Sequence, residues 1–173
     1  MKSHRIALTI AVGAVAFAAP AHAAVRGVSA QDENFLQSGA AGASFEIKGG
    51  QLALQKSQNP EVRALARILI RDHVTELHEL KAVARRLHVP KVDNKPNPSQ
   101  SWELRQLQAK SGADFDLQYT DLEVFDHHQD IEESKFEAKK GSAGAAVAQA
   151  KRYLPTLAKH LKLSRAAEQS ARG

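Results

Sequence analysis

The chain has 173 residues, with 24 basic and 19 acidic side chains and a formal net charge of +5. It contains no cysteine, which excludes disulfide bonds and thiol redox chemistry. The basic residues are not interleaved with aromatic ones, so the sequence predicts no nucleic-acid partner.

The N-terminus has the three parts of a secretory signal peptide. Basic residues such as Lys2 precede an apolar run over residues 6–19, and a small-x-small cleavage site ends at Ala23. The run is shorter than the roughly 20 residues that span a membrane, so an uncleaved anchor is the less favoured alternative. We therefore expect residues 1–23 to be removed and residues 24–173 to form one periplasmic domain, with a core at about 30–163 and without a membrane span.

The helical spacing of hydrophobic residues, with capping residues and prolines at the ends, predicts two long helices in the first half of this domain. The first covers about residues 30–57, with Ser29 as its N-cap. The second begins after the N-cap Asn59, has a proline at its first position and ends before Pro90. The first helix contains four glycines, which are Gly39, Gly42, Gly49 and Gly50. Either they allow a neighbouring helix to approach closely, or the first helix breaks at Gly49 and Gly50. We expect close packing.

Three further helices follow in the second half. A short piece covers about residues 99–112, and a third long helix covers about 114–140. A fourth covers about 142–163, with Ser142 as its N-cap and a bend at Pro155. No segment has the period of a strand, so the sequence predicts an all-α four-helix bundle with an extra short helix between the second and third long helices.

The third and fourth long helices differ sharply in charge. Between Asp114 and Glu137 the only basic residue is Lys135, whereas from Lys140 to the end the only acidic residue is Glu168. We interpret this pattern as two neighbouring helices of opposite charge that attract each other.

Polar side chains replace apolar ones at core-facing positions of all four long helices. On the second helix the replacements are three residues apart, which places them on one face. The full set is Glu46, His73, Glu76, Glu123, His127 and His160. Because a buried charge is costly unless it is paired or ligated, a set spread over four helices suggests one shared metal site. Carboxylates and imidazoles together suit iron, manganese or zinc.

The level of each candidate along the bundle follows from its distance to the nearest helix–helix turn. Glu46, His73 and His127 lie at similar levels, and His160 lies about one and a half turns deeper. We expect these four to converge, with His160 the least well aligned. The alternative is that each polar side chain is partly exposed or bonded to a neighbour.

Familiar catalytic motifs are missing from the sequence. There is no phosphate-binding glycine loop, no His-Glu-x-x-His zinc motif and no Gly-x-Ser-x-Gly nucleophile elbow, so we assign no catalytic residue. Tyr119 and Tyr153 are predicted to be half-buried packing residues.

The four long helices carry a series of spaced motifs, which include Phe45-Glu46-Ile47, Asn59-Pro60-Glu61-Val62, Asp72-His73, Asp126-His127, Leu154-Pro155-Thr156-Leu157 and His160-Leu161. These motifs resemble those of the exported bacterial proteins catalogued as domain of unknown function 4142. The resemblance covers about residues 32–163 and implies a ferritin-like four-helix bundle in the cell envelope, where the protein could associate peripherally with the membrane. The chain departs from the di-iron ferritins because it has no Glu-x-x-His motif.

Two hypotheses follow from the sequence. The first is a periplasmic metal-binding protein with a ferritin-like fold. The alternative is a non-catalytic envelope protein that acts through partner binding or in stress tolerance. The sequence identifies neither a protein partner nor an oligomeric state.

Overall fold

The computed structural model describes residues 27–173, and the signal peptide predicted at residues 1–23 lies outside them. The described residues form five helices and no strand, so the prediction of an all-α fold is confirmed. None of the helices within residues 27–173 combines the length and the apolar character that crossing a bilayer requires. The helices are α1 (Ala30–Lys56), α2 (Pro60–Leu87), α3 (Pro98–Gln108), α4 (Gly112–Lys140) and α5 (Gly144–Arg172).

Local capping interactions fix the starts of α1 and α2. Ser29 and Asp32 form a capping box, in which each side chain accepts a hydrogen bond from the other residue's backbone N–H. The side chain of Asn59 accepts from the backbone N–H groups of Glu61 and Val62. Both predicted N-caps are therefore confirmed.

The predicted cap of the last helix is wrong. α5 begins at Gly144, and Ser142 makes no capping bond to it. Instead, the backbone N–H groups of Ser142 and Ala143 donate to the Asp32 carboxylate, at 2.9 Å each. A long-range contact to the start of α1 thus ties down the α4–α5 turn in place of a local cap.

α5 also continues to Arg172, roughly two and a half turns beyond its predicted end near residue 163. The extra segment is held by packing, because Ala167 is buried in one apolar cluster with Leu65 and Phe115. The helix runs on past Pro155, which lacks the N–H that would bond the Lys151 carbonyl. Lys151 is exposed, so water can bond that carbonyl.

The four long helices pack as two helical hairpins, α1–α2 and α4–α5. α1 also contacts α4, and α2 also contacts α5, while α3 lies against α1 and α4. The apolar core is divided into two clusters at opposite ends of these helices. One includes Leu65, Leu69, Phe115 and Tyr119, and the other includes Phe35, Leu36, Leu80 and Ala146.

The glycines of α1 allow the close packing that the sequence predicts. A Cβ atom at Gly50 would lie 2.8 Å from Cγ1 of Ile70 and 3.2 Å from the carbonyl oxygen of Ala66. A Cβ atom at Gly39 would lie 3.2 Å from Cδ1 of Leu80. α1 is continuous through Gly50, so the alternative of a helix break is excluded.

The opposite charges of α4 and α5 are paired at one place. Arg172 lies 2.8 Å from Asp121, and no other ion pair between Lys or Arg of α5 and α4 is found among residues 27–173. Other acidic side chains of α4 face the interior, including Glu123 and Glu137, which are 1% and 0% exposed. The charge pattern is therefore only in part a surface attraction between the two helices.

Candidate metal centre

Three histidines from three helices meet between the two apolar clusters. His73 of α2, His127 of α4 and His160 of α5 are all fully buried. Their ring centroids are 5.1 to 5.6 Å apart in every pair. One nitrogen from each ring lies within 4.8 Å of the other two. The structure therefore brings together the three predicted histidines, including the one expected to align least well.

Carboxylates hold the outward-facing nitrogens of two of these rings. His73 Nδ1 lies 2.7 Å from Oε2 of Glu76, and His160 Nε2 lies 3.0 Å from Oδ2 of Asp72. An ionised carboxylate can only accept, so each of these ring nitrogens carries the proton and donates it. The sequence analysis placed Glu76 in the site but missed Asp72. Asp72 directly precedes His73 and does not occupy one of the core-facing positions of α2.

The third ring is held by the backbone. His127 Nδ1 donates to the carbonyl oxygen of Glu123 at 2.7 Å, which fixes its tautomer in the same way. The opposite nitrogens of the three rings are buried and make no hydrogen bond to any residue in the described part of the chain; these are His73 Nε2, His127 Nε2 and His160 Nδ1. A neutral ring whose proton is held by an oxygen on one nitrogen presents a free lone pair on the other, as metal-ligating histidines do.

Glu46 of α1 lies beside the histidine cluster. It is fully buried, with Oε2 3.6 Å from His73 Nε2 and Oε1 3.5 Å from His127 Nδ1. Neither carboxylate oxygen forms a hydrogen bond within residues 27–173. Glycines flank Glu46 one helical turn away on each side, and a Cβ atom at Gly49 would lie 3.5 Å from Oε1 of Glu123. The small residues of α1 thus let the acidic face of α4 come close to Glu46.

Two acidic residues missed by the sequence analysis, Asp126 and Asp130, also face Glu46. One oxygen from each of these three carboxylates lies within 4.8 Å of the other two. A second such group joins Glu46 to Glu123 and His127. Asp126 and Asp130 follow Glu123 by three and seven residues, a helical spacing that puts all three on one face and that could have identified them.

Burial and mutual repulsion favour the protonated forms of these carboxylates. Burial, together with Glu123, raises the pKa of Glu46 well above its ordinary value. Burial also raises the pKa of Glu123 to about 7 and the pKa of Asp126 to about 6. The pKa of Asp130 is raised well above its usual range by burial and by Asp126. Such a cluster favours protons or another cation over bare negative charge.

Two of the histidines are neutral at neutral pH. Burial and the neighbouring rings lower the pKa of His127 well below its ordinary value and lower the pKa of His160 to about 4. Burial acts in the same direction on His73, but the hydrogen bond and charge of Glu76 outweigh it and raise the pKa of His73. Neutral imidazole is the form that ligates metal ions.

Both tyrosines are more deeply buried than predicted. Tyr119 is fully buried and its pKa is raised well above its ordinary value by burial and by Glu123 and Glu46. Tyr153 is 8% exposed, and its hydroxyl donates to the backbone carbonyl of Asp72 at 2.7 Å. Both tyrosines are therefore buried rather than half-buried, and Tyr119 packs against Phe115 in the apolar cluster as a core residue.

The three ring nitrogens come close to the spacing of the ligands of a tetrahedral ion. A zinc ion with Zn–N bonds of about 2.0–2.1 Å separates its ligand nitrogens by about 3.4 Å. The ring nitrogens lie within 4.8 Å of one another, so the rings would need to approach by up to about 1.4 Å for three Zn–N bonds to form.

Comparison with known proteins supports the fold and identifies the family. A DUF305 fragment from Deinococcus radiodurans is 14% identical, with a TM-score of 0.72, over 83% of this chain and 98% of that one. A DUF305 protein from Streptomyces coelicolor, described as a candidate secreted protein, is 15% identical, with a TM-score of 0.65, over 78% of this chain and 88% of that one. No curated protein matches the chain. The family model "Domain of unknown function (DUF4142)" matches residues 17–167, and the chain belongs to this family.

Proposed function

We propose that this protein is a ferritin-like four-helix bundle that binds a transition-metal ion at its centre. The ligands are His73, His127 and His160, with Glu46 in the fourth position. The observation that carries the proposal is the pattern of the three rings: one nitrogen of each is held by an oxygen acceptor, and the other is buried without a hydrogen bond to residues 27–173. Ligation requires this division of roles between the two nitrogens of a ring.

A purely structural role for the histidines accounts less well for this pattern. Each buried polar atom without a partner lowers stability by about 1–3 kcal/mol. Three such nitrogens and the unbonded Glu46 carboxylate therefore take up a large share of a typical stability of about 5–15 kcal/mol. A bound ion satisfies the three ring nitrogens together, and Glu46 lies 3.6 Å from one of them, His73 Nε2.

The chemistry of the donors favours iron, manganese or zinc. Imidazole nitrogen with carboxylate oxygen suits these ions, and the chain offers no thiolate. In this assignment Glu76 orients His73 instead of binding the ion, because it already holds the opposite nitrogen at 2.7 Å. Glu123 stands beside Glu46 as a further oxygen donor.

We propose that the mature protein works in the periplasm. The signal peptide predicted at residues 1–23 supports export. The description of the Streptomyces coelicolor relative as a candidate secreted protein agrees with this location.

A second candidate function is partner binding at the surface, without catalysis. It is favoured by large aromatic side chains on α3 and α4 that are more than half exposed, namely Trp102, Phe125 and Phe136. Under this alternative, metal content would not depend on the buried histidines.

The test is a Co²⁺ titration of the chelator-stripped protein, with His127→Gln as the variant and His78→Gln as the control. His78 is an exposed histidine of α2 outside the site. We expect the wild type and the control to develop the intense visible bands of tetrahedral Co²⁺ at one equivalent, and Zn²⁺ to displace it. The variant should lose at least about 100-fold in affinity, since loss of an outer partner alone costs about 10–100-fold. Equal Co²⁺ spectra and affinities in His127→Gln and the wild type would overturn the proposal.

A further inference from the structure

An acidic group adjoins the histidine centre without belonging to it. Asp126 and Asp130 lie one helical turn apart on α4 and face Glu46 of α1. One oxygen from each lies within 4.8 Å of the other two. Within the described residues, no lysine or arginine forms an ion pair with any of the three, and Glu46 contacts only histidines in that way.

Unbonded oxygens point to a ligand for this group. Glu46 is fully buried and neither of its oxygens is hydrogen-bonded to residues 27–173. Asp126 Oδ2 is likewise buried and has no hydrogen-bond partner in that part of the chain. Buried carboxylate oxygens are normally satisfied, so these atoms need either protons or a cation.

We propose that Glu46, Asp126 and Asp130 form a second site, which binds a hard divalent cation such as Mn²⁺ or Fe²⁺. Glu46 belongs to this group and also lies 3.6 Å from His73, so it bridges the second ion to the ion in the histidine centre. The second site stands by itself, and only the bridge rests on the proposed function.

The donor atoms set the preference of each site. Three carboxylates offer only oxygen, which suits Mg²⁺, Ca²⁺, Mn²⁺ and Fe²⁺, whereas three imidazoles favour zinc and other later transition metals. Three carboxylates whose oxygens lie within 4.8 Å of one another repel each other, and a doubly charged ion between them neutralises more of this charge than a single proton does.

The second site has polar routes to solvent. Asp126 lines a surface cavity beneath α3 together with Asn97, Gln100 and Glu103. Asp130 lines a smaller cavity with Glu76 and Glu133. Carboxylates and amides along these walls attract a cation and replace part of its hydration shell. An ion can therefore approach Asp126 of the second site from the surface cavity beneath α3.

The test is a titration of the chelator-stripped full chain with Mn²⁺, after one equivalent of Zn²⁺ has filled the histidine centre. The variant is Asp126→Asn with Asp130→Asn, which keeps side-chain size. The matched control is Asp114→Asn with Asp121→Asn, which makes the same charge change at exposed positions of α4. We expect one tightly bound Mn²⁺ in the wild type and the control, and at least about 100-fold weaker Mn²⁺ binding in the variant, with the Zn²⁺ content of the variant unchanged.

A measurement on the wild type alone covers a variant that fails to fold. Bridged two-metal sites hold their ions about 3.5–4 Å apart, so zinc-edge X-ray absorption should show a Zn–Mn distance in this range. Unchanged Mn²⁺ affinity in the folded variant would overturn the second site. A wild type with both ions bound and no Zn–Mn vector would overturn the bridge. Co²⁺ binding that is unchanged in His127→Gln contradicts the proposed function instead, and carboxylate-dependent Mn²⁺ binding still supports the second site in that case.

Discussion

Replacing His73 with leucine separates a metal ligand from a structural histidine. The change removes a fully buried imidazole whose Nε2 has no hydrogen-bond partner among residues 27–173, and leucine fills a similar volume. The lost hydrogen bond to Glu76 costs about 1.5–3 kcal/mol, while removal of the unsatisfied nitrogen returns about 1–3 kcal/mol. The Glu76 side chain is 12% exposed and can be rehydrated. Without metal, the free energy of unfolding should stay within about 1 kcal/mol of the wild type.

With metal, the two proteins should differ strongly. At a free Zn²⁺ concentration of 100 times Kd, binding stabilises the wild type by about 2.7 kcal/mol. For a domain of this size, that raises Tm by roughly 5–10 °C. If the loss of a ligand weakens binding by at least about 100-fold, the His73→Leu variant keeps only about 0.4 kcal/mol, or about 1 °C.

Thermal melts followed by circular dichroism, with chelator and with Zn²⁺, give both quantities. His78→Leu is the control, because it makes the same substitution at an exposed position of the same helix. If the variant loses several kcal/mol in chelator, His73 is a structural residue. If the variant keeps the full Zn²⁺ shift, His73 is not a ligand. Either result would refute the reasoning.

Three further predictions concern the rest of the chain. The exported protein should begin at Ala24, and an intact mass that still includes residues 1–23 would contradict this. Burial and a hydrogen bond with Asp32 raise the pKa of Glu137 to about 7. The folded state therefore keeps a proton that the unfolded chain loses near the ordinary pKa of glutamate. This stabilising contribution is present at low pH and is lost as the pH rises through about 7. Glu137→Gln, which mimics the protonated form, should therefore stabilise the protein at pH 8 relative to wild type and much less at pH 5, and denaturant melts at about these two pH values check the sign. Gly50→Ala should lower the free energy of unfolding by about 1–3 kcal/mol, because the added Cβ atom would lie 2.8 Å from Ile70. Gly144→Ala is the control and should not lower it, because no atom lies within 4 Å of the added carbon. Equal melts for the two alanine variants would contradict the close packing.

Interactions between residues close together along the chain were enough to predict the helices and most of their starts. Ser29 and Asn59 cap α1 and α2 through bonds to residues two or three positions ahead, and such interactions depend only on the local chain. Hydrophobic period excluded strands for the same reason. The helical spacing of hydrophobic residues also identified His73, His127 and His160. A histidine at a core-facing position between hydrophobic residues can be recognised without knowledge of the neighbouring helix.

The contacts between helices determine which polar residues are enclosed, and the sequence does not reveal these contacts. The sequence places Asp126 and Asp130 on an acidic face of α4, yet α1 partly covers them because its small residues allow close approach to α4. The sequence predicts Ser142 as an N-cap, but its backbone N–H donates a hydrogen bond to Asp32, which lies 110 residues away in the chain. In both cases the deciding contact joins distant parts of the chain. The pattern within one helix gives the angle between its side chains, whereas the positions of its neighbours determine which of those side chains are buried.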